Sequence, residues 1–240
     1  MDADRARAAV ESATWQLGAD DDDRTMAMDA TLLLCVVGST VHGLAVQDGV
    51  EDLDVMGICC EPPERVIGWR PFHQWVGRTN LLPLFVRPDH VLMDTPLGVE
   101  LRASADAFAS RQAGERFLGY ATAQRERLEG KRGQLRVHRP DLVALYGFDT
   151  KFAGHLLRLA HQGIEYLTTG RLTLPIPDPL GAHLRDVRTG RVPLAKVLAE
   201  AEDAEARLTD LLTSSPLPER PDVSRVEAFV MRAYRARWSW

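Results

Sequence analysis

Four residues of this 240-residue chain, Gly38, Ser39, Asp52 and Asp54, have the types and spacing to do chemistry together. In Asp52-Leu53-Asp54-Val55, strand alternation puts both carboxylates on one face, roughly 6 to 7 Å apart at their α-carbons, and Leu53 and Val55 on the other. Such a pair suits one or two Mg²⁺ ions, which take oxygen ligands and bridge nucleotide phosphates. Gly38-Ser39 offers the complement. A residue without a side chain and a hydroxyl donor face whatever approaches the first amides of a following helix, a place that phosphate favours.

The elements that must position these groups lie in LLLCVVGSTVHGLAVQDGVEDLDVMGICC, Leu32 to Cys60. Leu32 to Val37 and Leu53 to Cys60 have the length and β-branched content of buried strands, and the residues between them are small, polar or turn-forming. The reading is strand, short helix, turn, strand. The proline-rich EPPER segment stops the second strand, and Phe72 to Val76 reads as the next one.

Composition bounds the rest. The chain is 45% hydrophobic with a net charge of −5, enough for one large domain or two small ones and unlike a generic basic nucleic-acid-binding surface. Cys35, Cys59 and Cys60 fall in predicted strands without metal-ligand spacing, so buried free thiols are expected. The sequence holds no apolar run of membrane-spanning length, and MDADRARAAVESATW lacks the regions of a signal peptide. The expectation is a cytoplasmic protein with no membrane contact.

Residues 3 to 17 read as a helix and Asp20 to Arg24 as a solvated acidic loop. From about Leu101 short apolar runs give way to helical periodicity, so the chain divides into domains 1–100 and 101–240. Phe117, Ala121, Gln124 and Leu128 mark one helix. Asp149 caps and Gly170 closes the next, with Phe152, Leu156, Leu159, Gly163 and Tyr166 as its core stripe. Lys151, His155, Arg158 and Gln162 recur on another of its faces. Pro193 to Leu212 is amphipathic, SSPLPERPD is a linker, and Val226, Phe229, Val230 and Ala233 belong to a last helix that closes the helical domain. Trp238 and Trp240 read as packing aromatics.

A Gly-Ser turn and an Asp-x-Asp are each common by chance in a chain with 34 acidic residues. Their combination is more specific. Hydrophobic-Gly-Ser, twelve residues, then Asp-hydrophobic-Asp-hydrophobic resembles the DNA polymerase beta-type nucleotidyltransferase superfamily. Gly-Ser followed by His42, Gly43, Leu44 and Ala45 is similar to the predicted nucleotidyltransferase branch related to RNA-repair polymerase-beta-type proteins. That likeness extends across Asp149 to Gly163, Thr169-Gly170, Leu174-Pro175 and Arg188-x-Gly190, and so covers about Leu32 to Leu212.

The resemblance implies an α+β fold, with a small mixed β-sheet core followed by an all-helical domain that completes the nucleotide pocket. It implies transfer of a nucleoside monophosphate from an NTP to an acceptor such as an RNA end, a protein or a small molecule, with Mg²⁺ or Mn²⁺ held by Asp52 and Asp54 as catalytic residues. Gly38, Ser39, His42, Lys151, His155 and Arg158 would bind the nucleotide. A catalytically impaired nucleotide-binding or regulatory module is the alternative. Active members carry a third carboxylate on a later strand, followed by a helix. Here that block is absent near Thr79-Asn80, no acidic residue lies between Glu64 and Asp89, and Asp89, Asp94 and Glu100 fall in a stretch that does not read as a strand. Loss of the block would expose a sheet edge, which the helical domain or a partner chain in an oligomer would cover.

Overall fold

Leu32 to Val36 are all buried, which is what a strand covered on both faces and paired on both sides requires of its side chains. In the computed structural model this run is the centre of a three-stranded sheet, and the residues described are 25–26, 29–45, 54–68, 82–131 and 139–238. The strands are β1 (Thr31–Val36), β2 (Val55–Cys59) and β3 (Val91–Asp94), in the order β2-β1-β3. Both pairings are antiparallel, with Val36 opposite Val55 and Leu33 opposite Asp94. The fold is α+β, but the expected mixed sheet is corrected to an antiparallel one among the described residues. Helix α1 (Gly38–His42) follows β1 after a single residue, Val37.

Two further expectations change. β2 begins at Val55, so Asp54 stands just outside it, and its residues are half-buried. The stretch holding Asp94 does form a strand, β3, so both sides of β1 are paired and the sheet's edges among the described residues are β2 and β3. β3 escaped sequence reading because it is four residues long and lies between Pro88 and Pro96. The predicted strand Phe72 to Val76, the gap near Thr79-Asn80, the helix over 3–17 and Asp20 to Arg24 fall outside the described residues, as do Asp52 and Trp240.

The chain forms two compact units, one from the described residues up to Phe108 together with those from Asp222 onward, the other Ala109–Pro221. In the first, α2 (Pro63–Val66), α3 (Leu82–Phe85) and α4 (Pro96–Ala103) accompany the sheet. The last helix, α10 (Val223–Trp238), also belongs to this unit. Its Phe229 and Ala233 join Leu32, Cys60, Leu84, Leu101 and Ala105 in one core. Arg225 binds Asp106 at 2.7 and 3.1 Å, Arg232 pairs with Glu100, and Trp238 Nε1 donates to the Glu61 carbonyl at 2.8 Å. The sequence-based placement of this helix in a 101–240 domain therefore does not match the observed units. An amphipathic stripe states that a helix has a core to join, not which one.

The second unit contains α5 (Arg111–Leu128), α6 (Pro140–Tyr146), α7 (Thr150–Thr169), α8 (Leu180–Arg188) and α9 (Leu194–Ser214). α7 is its axis, with α5, α8 and α9 all packed on it. Being covered from several sides, α7 buries Ala153, Leu156, Leu157, Ala160, Gly163, Tyr166 and Leu167, a wider band than the predicted stripe, while Phe152 and Leu159 are only half-buried. Small residues let the helices approach: a Cβ on Gly163 would stand 2.7 Å from Phe117 Cβ. Tyr166 Oη accepts from the Ser110 amide at 3.0 Å, and Arg125 grips Glu205 of α9 through two bonds of 3.0 Å. No described helix is long and apolar enough to cross a membrane.

Candidate functional site

β1 delivers the chain to Gly38, whose φ of +73° is a left-handed conformation that side chains disfavour. The lack of a side chain matters a second time. A Cβ there would stand 2.3 Å from Asp54 Oδ2, so the Asp54 carboxylate occupies the space that glycine leaves open. The backbones are locked at the same point, since the Val37 amide donates to the Asp54 carbonyl at 2.8 Å. Asp54 is exposed and Ser39 half-buried, while His42 at the end of α1 is 4% exposed, inside the unit rather than on the face that Asp54 presents. Gly38, Ser39 and Asp54 thus meet at one end of the sheet. Asp52, the second expected carboxylate, lies outside the described residues.

Asp94 is on the strand next to β1 but is not brought to Asp54. It sits opposite Leu33, four residues back from Val37, about 13 Å along the strand and on the other side of β1. Its Oδ2 accepts from Arg102 Nη1 at 2.9 Å, and Arg102 Nη2 donates to the Val86 carbonyl at 2.8 Å. That arrangement ties β3 to α4. Asp89 is different: it precedes Val91, which faces Cys35, and so lies toward the Gly38 end of β1, exposed and hydrogen-bonded to Arg87 Nε at 3.1 Å. Among the described residues no group of three or more His, Cys, Asp or Glu side chains is placed to hold a metal. The three cysteines are free, and burial pushes the Cys35 thiol up to about 12 and that of Cys59 up to about 11. They do not supply thiolate at neutral pH.

In the helical unit, α7 starts where Asp149 Oδ1 accepts from the Lys151 and Phe152 amides, both at 3.0 Å, and ends at Gly170 with φ +72°. The predicted cationic stripe is present but is not a solvated face. Lys151 is exposed, His155 and Arg158 are half-buried, and Gln162 is 2% exposed. Arg158 Nη2 donates to His155 Nδ1 at 2.9 Å and Nη1 to Gln162 Oε1 at 2.8 Å. Burial first, then the charges of Arg158 and Lys151, hold His155 down at about 3, so at neutral pH its Nδ1 accepts and its Nε2 carries the proton. Arg158 itself is pushed down to about 10, by burial first and by Arg188 second.

Sequence reasoning named Arg188 of α8, whose stem crosses Gly154, without a site role, and left out the triad in which Glu200 of α9 accepts from His161 Nε2 and His183 Nε2, each at 2.7 Å. No one-dimensional spacing links these residues, because each contact joins a different pair of helices. Gly154, small enough for a side chain of a second helix to cross it, was the available signal for Arg188. Comparison of the chain with protein-family models, with curated proteins and with solved structures finds no match to any of them.

Proposed function

We propose that this chain binds a nucleoside triphosphate with a divalent cation at the Gly38-Asp54 end of the sheet and acts as a nucleotidyltransferase, moving a nucleoside monophosphate onto an acceptor and releasing pyrophosphate. One observation supports the reading above the others: the Asp54 carboxylate fills the space made by the missing side chain of Gly38, so a hydroxyl-bearing turn and an exposed acid stand side by side. The donor set fits Mg²⁺ or Mn²⁺, which bind through one or two carboxylates and take their other ligands from water and substrate phosphates. Asp54, with Asp52, would hold the ion. Once bound, the ion supplies positive charge against the phosphate oxygens. Ser39 donates its hydroxyl to a phosphate oxygen, and Gly38 keeps the approach clear.

The alternative, a nucleotide-binding module with little turnover, draws support from Asp94. A third carboxylate completes the metal environment and helps deprotonate the attacking hydroxyl in such sites, and Asp94 is instead committed to Arg102. Its loss affects chemistry more than ground-state binding. Incubating the chain with labelled NTPs, Mg²⁺ or Mn²⁺ and RNA, protein and small-molecule acceptors separates the two. Label transfer abolished by Asp54→Asn supports the enzyme. Tight NTP binding without transfer supports the module, and neither binding nor transfer removes the proposal.

A further inference from the structure

Four glycines inside the described helices of the second unit are each crossed by a neighbouring group. A Cβ on Gly114 would stand 2.3 Å from Leu167 Cδ2, one on Gly154 2.7 Å from Arg188 Cγ, one on Gly163 2.7 Å from Phe117 Cβ and one on Gly181 2.6 Å from the Ile176 carbonyl oxygen. Gly119, in the middle of α5, is different. It is exposed, and a Cβ on it would meet nothing within 4 Å. Glycine in an exposed stretch of helix costs stability relative to alanine, and no contact of Gly119 within the chain offsets that cost.

The row to which Gly119 belongs is self-complementary. Glu115, Gly119, Ala123 and Arg127 follow at intervals of four, so they form one ridge along α5, with an acid at its first end, two small residues in its middle and a base at its last. Glu115, Gly119 and Arg127 are exposed and Ala123 is half-buried. Twelve residues separate the two charges by about 18 Å along the axis, too far for them to pair with each other. Laid antiparallel on the same row of another copy, Glu115 meets Arg127 at both ends and Gly119 meets Ala123 between them. Rows of this spacing run side by side when two helices cross at about 50°, the commonest class of crossing in globular proteins. Tyr120, 51% exposed, flanks the middle of the row and is covered by the same contact.

We propose that α5 is a self-association surface on which a second copy of this chain docks antiparallel, with Glu115 of each copy paired to the partner's Arg127 and Gly119 packed on the partner's Ala123. The two-fold axis lies at the level of Ala121, and it uses the row twice, so each favourable pair of charges occurs twice. Charge complementarity selects a second copy as the occupant, since the row supplies its own counterpart when reversed. One pair of helices buries less than a permanent interface does, so the dimer is weak and builds up with concentration. It stands apart from the nucleotide reading, and neither depends on the other.

The test is sedimentation equilibrium of the whole chain from about 5 to 500 µM, a range suited to a weak interface. The parent shifts from monomer toward dimer as concentration rises, and added salt weakens the shift. Glu115→Arg and Arg127→Glu each set like charges against one another at both ends of the row and weaken self-association by about tenfold or more. An equimolar mixture of those two variants recovers it, because unlike charges face one another again in the mixed pair. Gly119→Leu favours the helix, folds as the parent does by circular dichroism and blocks the close approach. Arg207→Gln, which removes an exposed charge on α9, leaves self-association unchanged. A parent that stays monomeric, whether the row is bare or serves a different protein, overturns the proposal. So does self-association that survives both Glu115→Arg and Gly119→Leu, or a mixture of the two charge variants that stays monomeric. If a charge variant does not fold, Gly119→Leu decides by the same criterion.

Discussion

At the end of β1 the candidate groups are an exposed acid and a hydroxyl placed by the backbone, whereas along α7 the candidate arginine, Arg158, is half-sunk into a helical core and held by the side chains of His155 and Gln162. Gly38 needs its left-handed φ, and the Val37 amide holds the Asp54 carbonyl, so the first region is shaped by main-chain geometry. In the second, Arg158 is oriented by His155 and Gln162 and crowded by Arg188. The difference teaches where each is vulnerable. The first is vulnerable at a backbone position, Gly38, and the second at the side-chain contacts that Arg158 makes with His155 and Gln162.

Gly38→Ala should have the largest effect, because it combines a strained φ with a Cβ placed 2.3 Å from Asp54 Oδ2. It should cost about 2–3 kcal/mol of stability in denaturant unfolding and remove NTP binding. A variant as stable and as active as the parent would show that the turn is not closed on Asp54. Ser39→Ala should weaken NTP affinity by about 1 to 3 kcal/mol, the worth of a hydrogen bond to a charged group. Equal affinities would remove Ser39 from the site.

The helical unit is tested through Glu200. Partial burial pushes its carboxyl up, but hydrogen bonds from His161 and His183 outweigh that and hold it below its ordinary value. A depressed folded value means stability that is present above the unfolded value, near pH 4.3, and lost as pH falls through the lower folded one. Glu200→Gln should therefore lower the free energy of unfolding at pH 7 by about 1 kcal/mol, with the difference from the parent vanishing at strongly acid pH. A difference that persists undiminished in acid would contradict the triad. The smallest signal is spectroscopic: with its value near 3, His155 should remain an Nε2–H imidazole from pH 8 to pH 5 in nitrogen-15 spectra. A titration near pH 6.5 would show the ring to be solvated.

Sequence spacing alone made the first region legible. Hydrophobic-Gly-Ser and Asp-hydrophobic-Asp sit at the ends of apolar runs, and adjacent antiparallel strands then bring Gly38 to Asp54. Helix α7 was legible at both ends, where Asp149 and Gly170 act through local backbone geometry. What stayed hidden depends on partners distant in sequence. Four residues between prolines do not announce a strand, so β3 and the position of Asp94 were missed. Gln162 reads as polar surface until α7 is seen to be covered by several helices. The stripe of α10 gives no clue that its core partners are Leu32 and Leu101.

In the proposed site Asp54 holds a metal-bound triphosphate beside Gly38. Calorimetry of Mg²⁺-ATP with the parent and with Asp54→Asn, both checked for folding by circular dichroism, tests it most directly. The parent should bind ATP more tightly with the metal than without it, and Asp54→Asn should fold as the parent does and lose that metal-dependent gain. Equal, metal-dependent affinity in both proteins would contradict it.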